Sequence, residues 1–145
     1  MRRVNVHAPE FDQSSEREGY AWRGARLGAQ LGAAKIGASL YELGDGQRTF
    51  PYHHHHGMEE WLIVLEGAPT VRMPEGERTL RRGDVLCFPA GPDGGHQVRG
   101  PGTVIIVSAS RAPETVEYPD SGKVGARPPG LIFRVQDAAD YWEGE

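Results

Sequence analysis

Six histidines occur in the 145-residue chain, at positions 7, 53, 54, 55, 56 and 96. Four are consecutive, and His96 stands in a glycine-rich stretch 40 residues further on. Imidazole is the commonest protein ligand for divalent transition metals, so metal ligation is the first chemistry to weigh. In an extended segment alternate side chains share a face and lie about 7 Å apart. Two imidazoles so placed can converge on one ion at nitrogen–metal distances near ~2.1 Å. The run 53–56 therefore holds two candidate pairs, His53/His55 on one face and His54/His56 on the other, of which one can face inward. Charge compensation is available from Glu59 and Glu60. Glu60 opens a stretch whose even positions, Leu62 and Val64, are apolar, and a carboxylate there is costly to bury unless paired or metal-bound. His96 would close the set from a different strand pair. Three neutral imidazoles and a carboxylate leave one or two positions free on an octahedral ion, as catalysis or substrate chelation requires. The competing reading of the run is a solvent-exposed patch that picks up metals adventitiously. Its place inside the chain argues against an added tag.

The elements that must position these residues are short. Segment 36–43 reads as a strand closed by the Gly44-Asp45-Gly46 turn, and Glu59–Leu65 as a strand stopped by Gly67. Thr70–Met73 and Arg78–Arg81 flank a hairpin turn at Pro74–Glu77. Val85–Phe88, His96–Arg99 and Thr103–Ser108 follow, separated by glycine and proline turns. Strands so spaced indicate an all-β sandwich or barrel. Residues 1–20 are polar and aperiodic, and 21–37 carry four glycines, too many for a stable helix interior. Both are read as an irregular lead-in. Towards the end, 118–122 is a turn, Arg127-Pro128-Pro129-Gly130 is stiff, and 131–135 could add a strand. A turn capped by Asp137 would set Tyr141 and Trp142 against the barrel.

Composition narrows the classes. Twenty glycines and eleven prolines argue against a helical bundle, and a net charge of −4 argues against an electrostatic nucleic-acid footprint. No apolar run approaches the roughly 20 residues of a membrane span. No signal peptide is expected behind Arg2 and Arg3, and a lone Cys87 fits a reducing cytoplasm.

The order and spacing of these residues resemble the cupin superfamily. Its first motif runs Gly, five residues, His-x-His, three or four residues, Glu, six residues, Gly. Gly46, His53-His54-His55, Glu60 and Gly67 fit it with one extra residue after the first glycine. The second motif is matched by Gly83, Pro89, Gly91 and His96. Here four residues (Pro92–Gly95) replace two before the histidine, and Gly100 stands where the family has Asn. Residues 52–72 and 118–124 further resemble small single-domain bacterial cupins without an assigned reaction. The resemblance implies an all-β cupin double-stranded β-helix, or jelly-roll, barrel filling 1–145. It would comprise an N-terminal arm (1–37), a barrel core (38–110) and a C-terminal tail (111–145).

Carried over residue by residue, the resemblance makes His53, His55, Glu60 and His96 the metal ligands; His54/His56 with Glu60 satisfies the same spacing. The cofactor would be a divalent ion such as Fe, Mn, Zn or Ni. On this register Leu62, Val64 and Val98 line the barrel. Tyr41, Tyr52, Trp61 and Phe88 pack around it, and Cys87 lies one strand away. Arg72, Arg78, Arg81 and Arg82 either attract an anionic substrate or form a solvated edge. Three functions compete: a metal-dependent enzyme (dioxygenase- or isomerase-like) on a small organic substrate, a non-catalytic small-ligand binding or sensing module, and a shell with structural histidines. The expected partners are a small molecule and a second copy in a homodimer, with neither nucleic acid nor membrane.

Overall fold

A computed structural model describes residues 1–109 and 113–145. Its strands are β1 (Gln13–Arg17), β2 (Tyr20–Ala25), β3 (Ile36–Leu43), β4 (His54–His55), β5 (Glu60–Gly67), β6 (Thr70–Met73) and β7 (Gly76–Thr79). They continue as β8 (Val85–Phe88), β9 (Gln97–Arg99), β10 (Gly102–Ala109), β11 (Glu114–Tyr118), β12 (Lys123–Arg127) and β13 (Leu131–Arg134). One short helix, α1 (Leu27–Leu31), ends at Gly32 in the left-handed region. All pairings are antiparallel, in sheets ordered β1-β2-β3-β10-β5-β8, β13-β12-β11-β4 and β7-β6-β9. The isolated bridge His53–His96 links the two smaller sheets, and Arg48–Arg99 ties the connection after β3 to β9. This is the expected jelly roll.

Alternation along β5 decides which side chains enter. Leu62 and Val64 point into a core with Tyr41, Val71, Phe88 and Val98, while Ile63 and Leu65 turn to the outer face. At about 25 cal/mol per Å² of apolar surface removed from water, this interdigitated core is the main source of stability.

The lead-in is more ordered than its composition suggests. Residues 13–25 form the β1–β2 hairpin, which extends the large sheet beyond β3. Helix α1 seals the outer face through Leu27, with Val4, Val6 and Phe11 packed on Leu40 and Ile105. The four glycines of 21–37 are absorbed by keeping the helix to five residues. At the other end the expected strand is present as β13 (Leu131–Arg134). Tyr141 and Trp142, however, meet edge to face in solvent, 84% and 73% exposed, instead of packing on the barrel. The 110/111 boundary between core and tail lies outside the described residues. Cys87 faces outward and is exposed, because its neighbours Leu86 and Phe88 take the inward parity of β8.

Candidate metal centre

Residues 53–56 run extended, held by backbone bonds on both sides. His53 and His96 exchange both amide–carbonyl bonds (3.1 and 2.9 Å), while His54 and His55 pair with Glu117 and Val116 of β11. Alternation then sorts the four rings. His53 and His55 face a cavity of about 710 Å³ between the layers, with Glu60 on its floor. His54 and His56 turn to the opposite side, towards Glu117 rather than Glu60.

The nitrogen, His53 Nδ1, lies 2.9 Å from the Pro51 carbonyl, and His96 Nδ1 lies 3.0 Å from that of Gly94. Each carbonyl accepts only an N–H, so Nδ1 of both rings carries a proton, and in the neutral ring the lone pair is left on Nε2. The Nε2 of His96 is buried without a hydrogen-bond partner among the described residues and sits 3.4 Å from Glu60 Oε2. One ligand atom each from His53, Glu60 and His96 falls within 4.8 Å of the others. His55 lies beside this triad, with Nε2 3.3 Å from Glu60 Oε2. Its Nδ1 is 3.2 Å from Glu114 Oε1, a side chain only 1% exposed. Contacts of 3.3–3.4 Å between donor atoms are about the spacing of neighbouring ligands around an ion 2.0–2.1 Å from each. An orphaned buried nitrogen aimed at a carboxylate, with its ring fixed from behind, is a donor set that fits a divalent ion.

Electrostatics agree with that chemistry. Burial pushes His53 down to about 4, and the neighbouring His96 adds to the shift, so the ring is neutral at physiological pH. Burial would likewise lower His55, but the Glu60 and Glu114 carboxylates outweigh it and hold the ring above its ordinary value. For Glu60 burial alone would raise the carboxyl, yet the adjacent His55 and His96 hold it well below the usual range. Glu60 is therefore an anion in a largely dry site.

The four-residue approach to His96 folds as a single 3-10 turn, Pro92–Gly94, so the two extra residues leave the histidine at the site. Glycine is required there. A Cβ on Gly94 would overlap the Pro89 carbonyl oxygen, and one on Gly95 would overlap the Tyr52 hydroxyl. Behind His96 the Phe88 ring stacks face to face, 3.9 Å between centroids and 6° between planes.

The remaining residues distribute as packing dictates. Tyr41 lines the cavity, and burial raises its phenol so that it keeps its proton. Leu62, Val64 and Val98 belong to the packed core beneath the cavity. Trp61 is 49% exposed. Arg72 pairs with Asp120 and lies 4.1 Å over the Tyr52 ring, while Arg78, Arg81 and Arg82 are exposed at the hairpin; none of the four lines the cavity. Arg127 of β12 does line it, together with Ile132 of β13. Glu114 and Arg127 lie in a segment whose sequence shows only scattered charges. No local signal marks them.

Comparison with known proteins was made against this geometry. Residues 39–109 match the profile described as Cupin domain. No protein of curated function matches the sequence. Among solved structures, a sugar phosphate isomerase of the cupin superfamily from Silicibacter pomeroyi superposes with a TM-score of 0.81 at 24% identity, over 95% of this chain and 96% of that one. A proposed sugar phosphate isomerase from Acidithiobacillus ferrooxidans gives 0.79 at 23%, over 91% and 88%. The polyketide cyclase RemF from Streptomyces resistomycificus gives 0.59 at 20%, over 79% and 83%. At these identities the likeness is one of fold.

Proposed function

The chain carries a cupin domain over residues 39–109, and from that premise we propose a metal-dependent enzyme that moves a proton on a small oxygenated substrate. The ion would be divalent, held by His53, Glu60 and His96 with His55 as the adjoining ligand. The observation that carries this reading is the orphaned Nε2 of His96, buried opposite Glu60 with its Nδ1 committed to a carbonyl. When bound, the ion would supply Lewis-acid polarisation of a carbonyl or hydroxyl oxygen.

The chain's own groups supply the rest. Glu114 fixes the His55 ring through Nδ1, as carboxylates behind metal-ligating histidines do. The buried Ile106 and Val116 make the apolar part of the cavity wall, and Tyr41 presents a protonated hydroxyl to it. Arg127 is the cation at this cavity that suits an anionic group on the substrate. A volume of about 710 Å³ is in the range of small-molecule sites. The two full-length structural likenesses, described as sugar phosphate isomerases, favour a phosphorylated hydroxy-carbonyl compound.

The test is solvent exchange. Metal-loaded protein in D2O is mixed with a panel of aldose and ketose phosphates, and loss of the α-proton signal is followed by proton NMR. Exchange that needs the metal and disappears in Glu60→Gln supports the enzyme. Saturable binding with neither exchange nor oxygen uptake would replace it with the binding-module reading, in which the same pocket captures a ligand without turnover.

A further inference from the structure

The outer face of the histidine run carries a second constellation. His54 and Glu117 are directly opposed in the β4–β11 register, and His56 lies two residues along from His54. The Nε2 atoms of His54 and His56 are 3.5 and 3.2 Å from the same oxygen, Glu117 Oε2. Ligand atoms of all three lie within 4.8 Å of one another. The side chain of His54 is 4% exposed, and its Nε2 is buried with no hydrogen-bond partner among the described residues. His56 and Glu117, at 44% and 38%, leave the site open to solvent on one side.

An exposed ion pair between His56 and Glu117 would account for the 3.2 Å contact. It would not account for a second imidazole buried against the same oxygen with its nitrogen unsatisfied, which folding avoids unless something else is bound there. We propose that His54, His56 and Glu117 form a second divalent-metal site, distinct from the cavity site and separated from it by the β4 backbone. Two imidazoles and one carboxylate, with a fourth position open to water, is a donor set that zinc accepts in tetrahedral geometry. The donor spacing of 3.2–3.5 Å is that of neighbouring ligands at metal distances of about 2.0–2.1 Å. With no thiolate in the set, a soft ion such as Cu(I) is disfavoured. Bound there, Zn²⁺ would cross-link β4 to β11. That matters because β4 is two residues long and carries His55 on its other face, next to His53.

The experiment uses the untagged full chain, stripped with chelator and titrated with Zn²⁺ by calorimetry, with elemental analysis after dialysis. Wild type is expected to take about two equivalents, and His96→Ala and His56→Ala about one each. His96→Ala combined with His56→Ala should take none. In His96→Ala, Zn²⁺ at about 100 times its Kd should still raise Tm by roughly 5–10 °C, an effect lost in the double variant. Glu117→Gln, a surface change that spares folding, should weaken the outer site at least tenfold. Should His56→Ala and Glu117→Gln bind as wild type does, or His96→Ala take up Zn²⁺ only above about 100 µM, the contacts are an ion pair with an adventitious ion and the proposal falls. A wild type binding one equivalent that is lost in His56→Ala but kept in His96→Ala would leave the outer site standing and remove the cavity site instead.

Discussion

The inner and outer faces of residues 53–56 present the same side chain to opposite surroundings. Inside, each ring is held from behind: His53 by Pro51, His55 by Glu114, and the facing His96 by Gly94. Outside, His56 reaches a half-exposed glutamate and is itself 44% exposed. Identical residues thus have different availability. The inner donors are preorganised and partly desolvated, and of the outer ones His54 is buried while His56 and Glu117 are open to water. Preorganisation raises affinity by removing the ordering cost from the binding step, so the inner face should bind metal more tightly.

The strongest way to break that comparison is His96→Ala, which removes the best-held donor. Inner metal affinity should fall at least about 100-fold, beyond what losing a supporting carboxylate costs, while the circular dichroism spectrum stays that of a β protein; unchanged affinity would remove His96 from the ligand set. Next, Glu114→Gln should weaken metal binding about 10-fold, because the ring of His55 loses its anionic anchor, and calorimetric titration beside His56→Ala separates this from the outer face.

Acid should act on the metal-free inner face. His53 stands at about 4 in the folded chain against 6.5 for a free ring, so folding favours its neutral form. That stability is intact above pH 6.5 and lost as pH falls towards 4, by roughly 2 kcal/mol at pH 5. Urea midpoints of the chelator-treated protein across this window would measure it, and a flat profile would show that His53 is not buried as described. Phe88→Leu, which removes the ring stacked on His96, should lower stability by about 1 kcal/mol and loosen inner metal with it. The smallest effect belongs to Arg72→Ala beside the same segment. An exposed pair with Asp120 and a cation–π contact on Tyr52 contribute less than about 1 kcal/mol together. A larger drop in the thermal midpoint would mean that this surface holds the histidine run in place.

Legibility in the sequence followed the range of the interactions. β3, β6 and β8 were read to the residue from alternation and turn chemistry, since both are local. The histidine pairing was legible as two options, because a period of 2 sorts a run into faces without saying which face is buried. What decided it was β11, which pairs with β4 across 59 or more residues of sequence and brings Glu114 and Glu117 with it. Nothing local distinguishes those two glutamates from solvated charges. The β1–β2 hairpin escaped notice for a related reason. Its first strand is polar, and in its second the apolar Trp22 and Ala25 stand among arginine and glycine, so the pair carries little alternating apolar signature. Tyr141 and Trp142 mislead in the opposite direction, as aromatics that composition assigns to packing and the fold leaves in water.

The uninterrupted imidazole tetrad also makes the strand unusually forgiving of misalignment. In most strands a slide by one residue swaps the two faces and replaces every inward group with an outward one. Here a slide that moves 54 and 56 into the places of 53 and 55 exchanges ring for ring. The cavity would keep two nitrogen donors where any other sequence would have lost them.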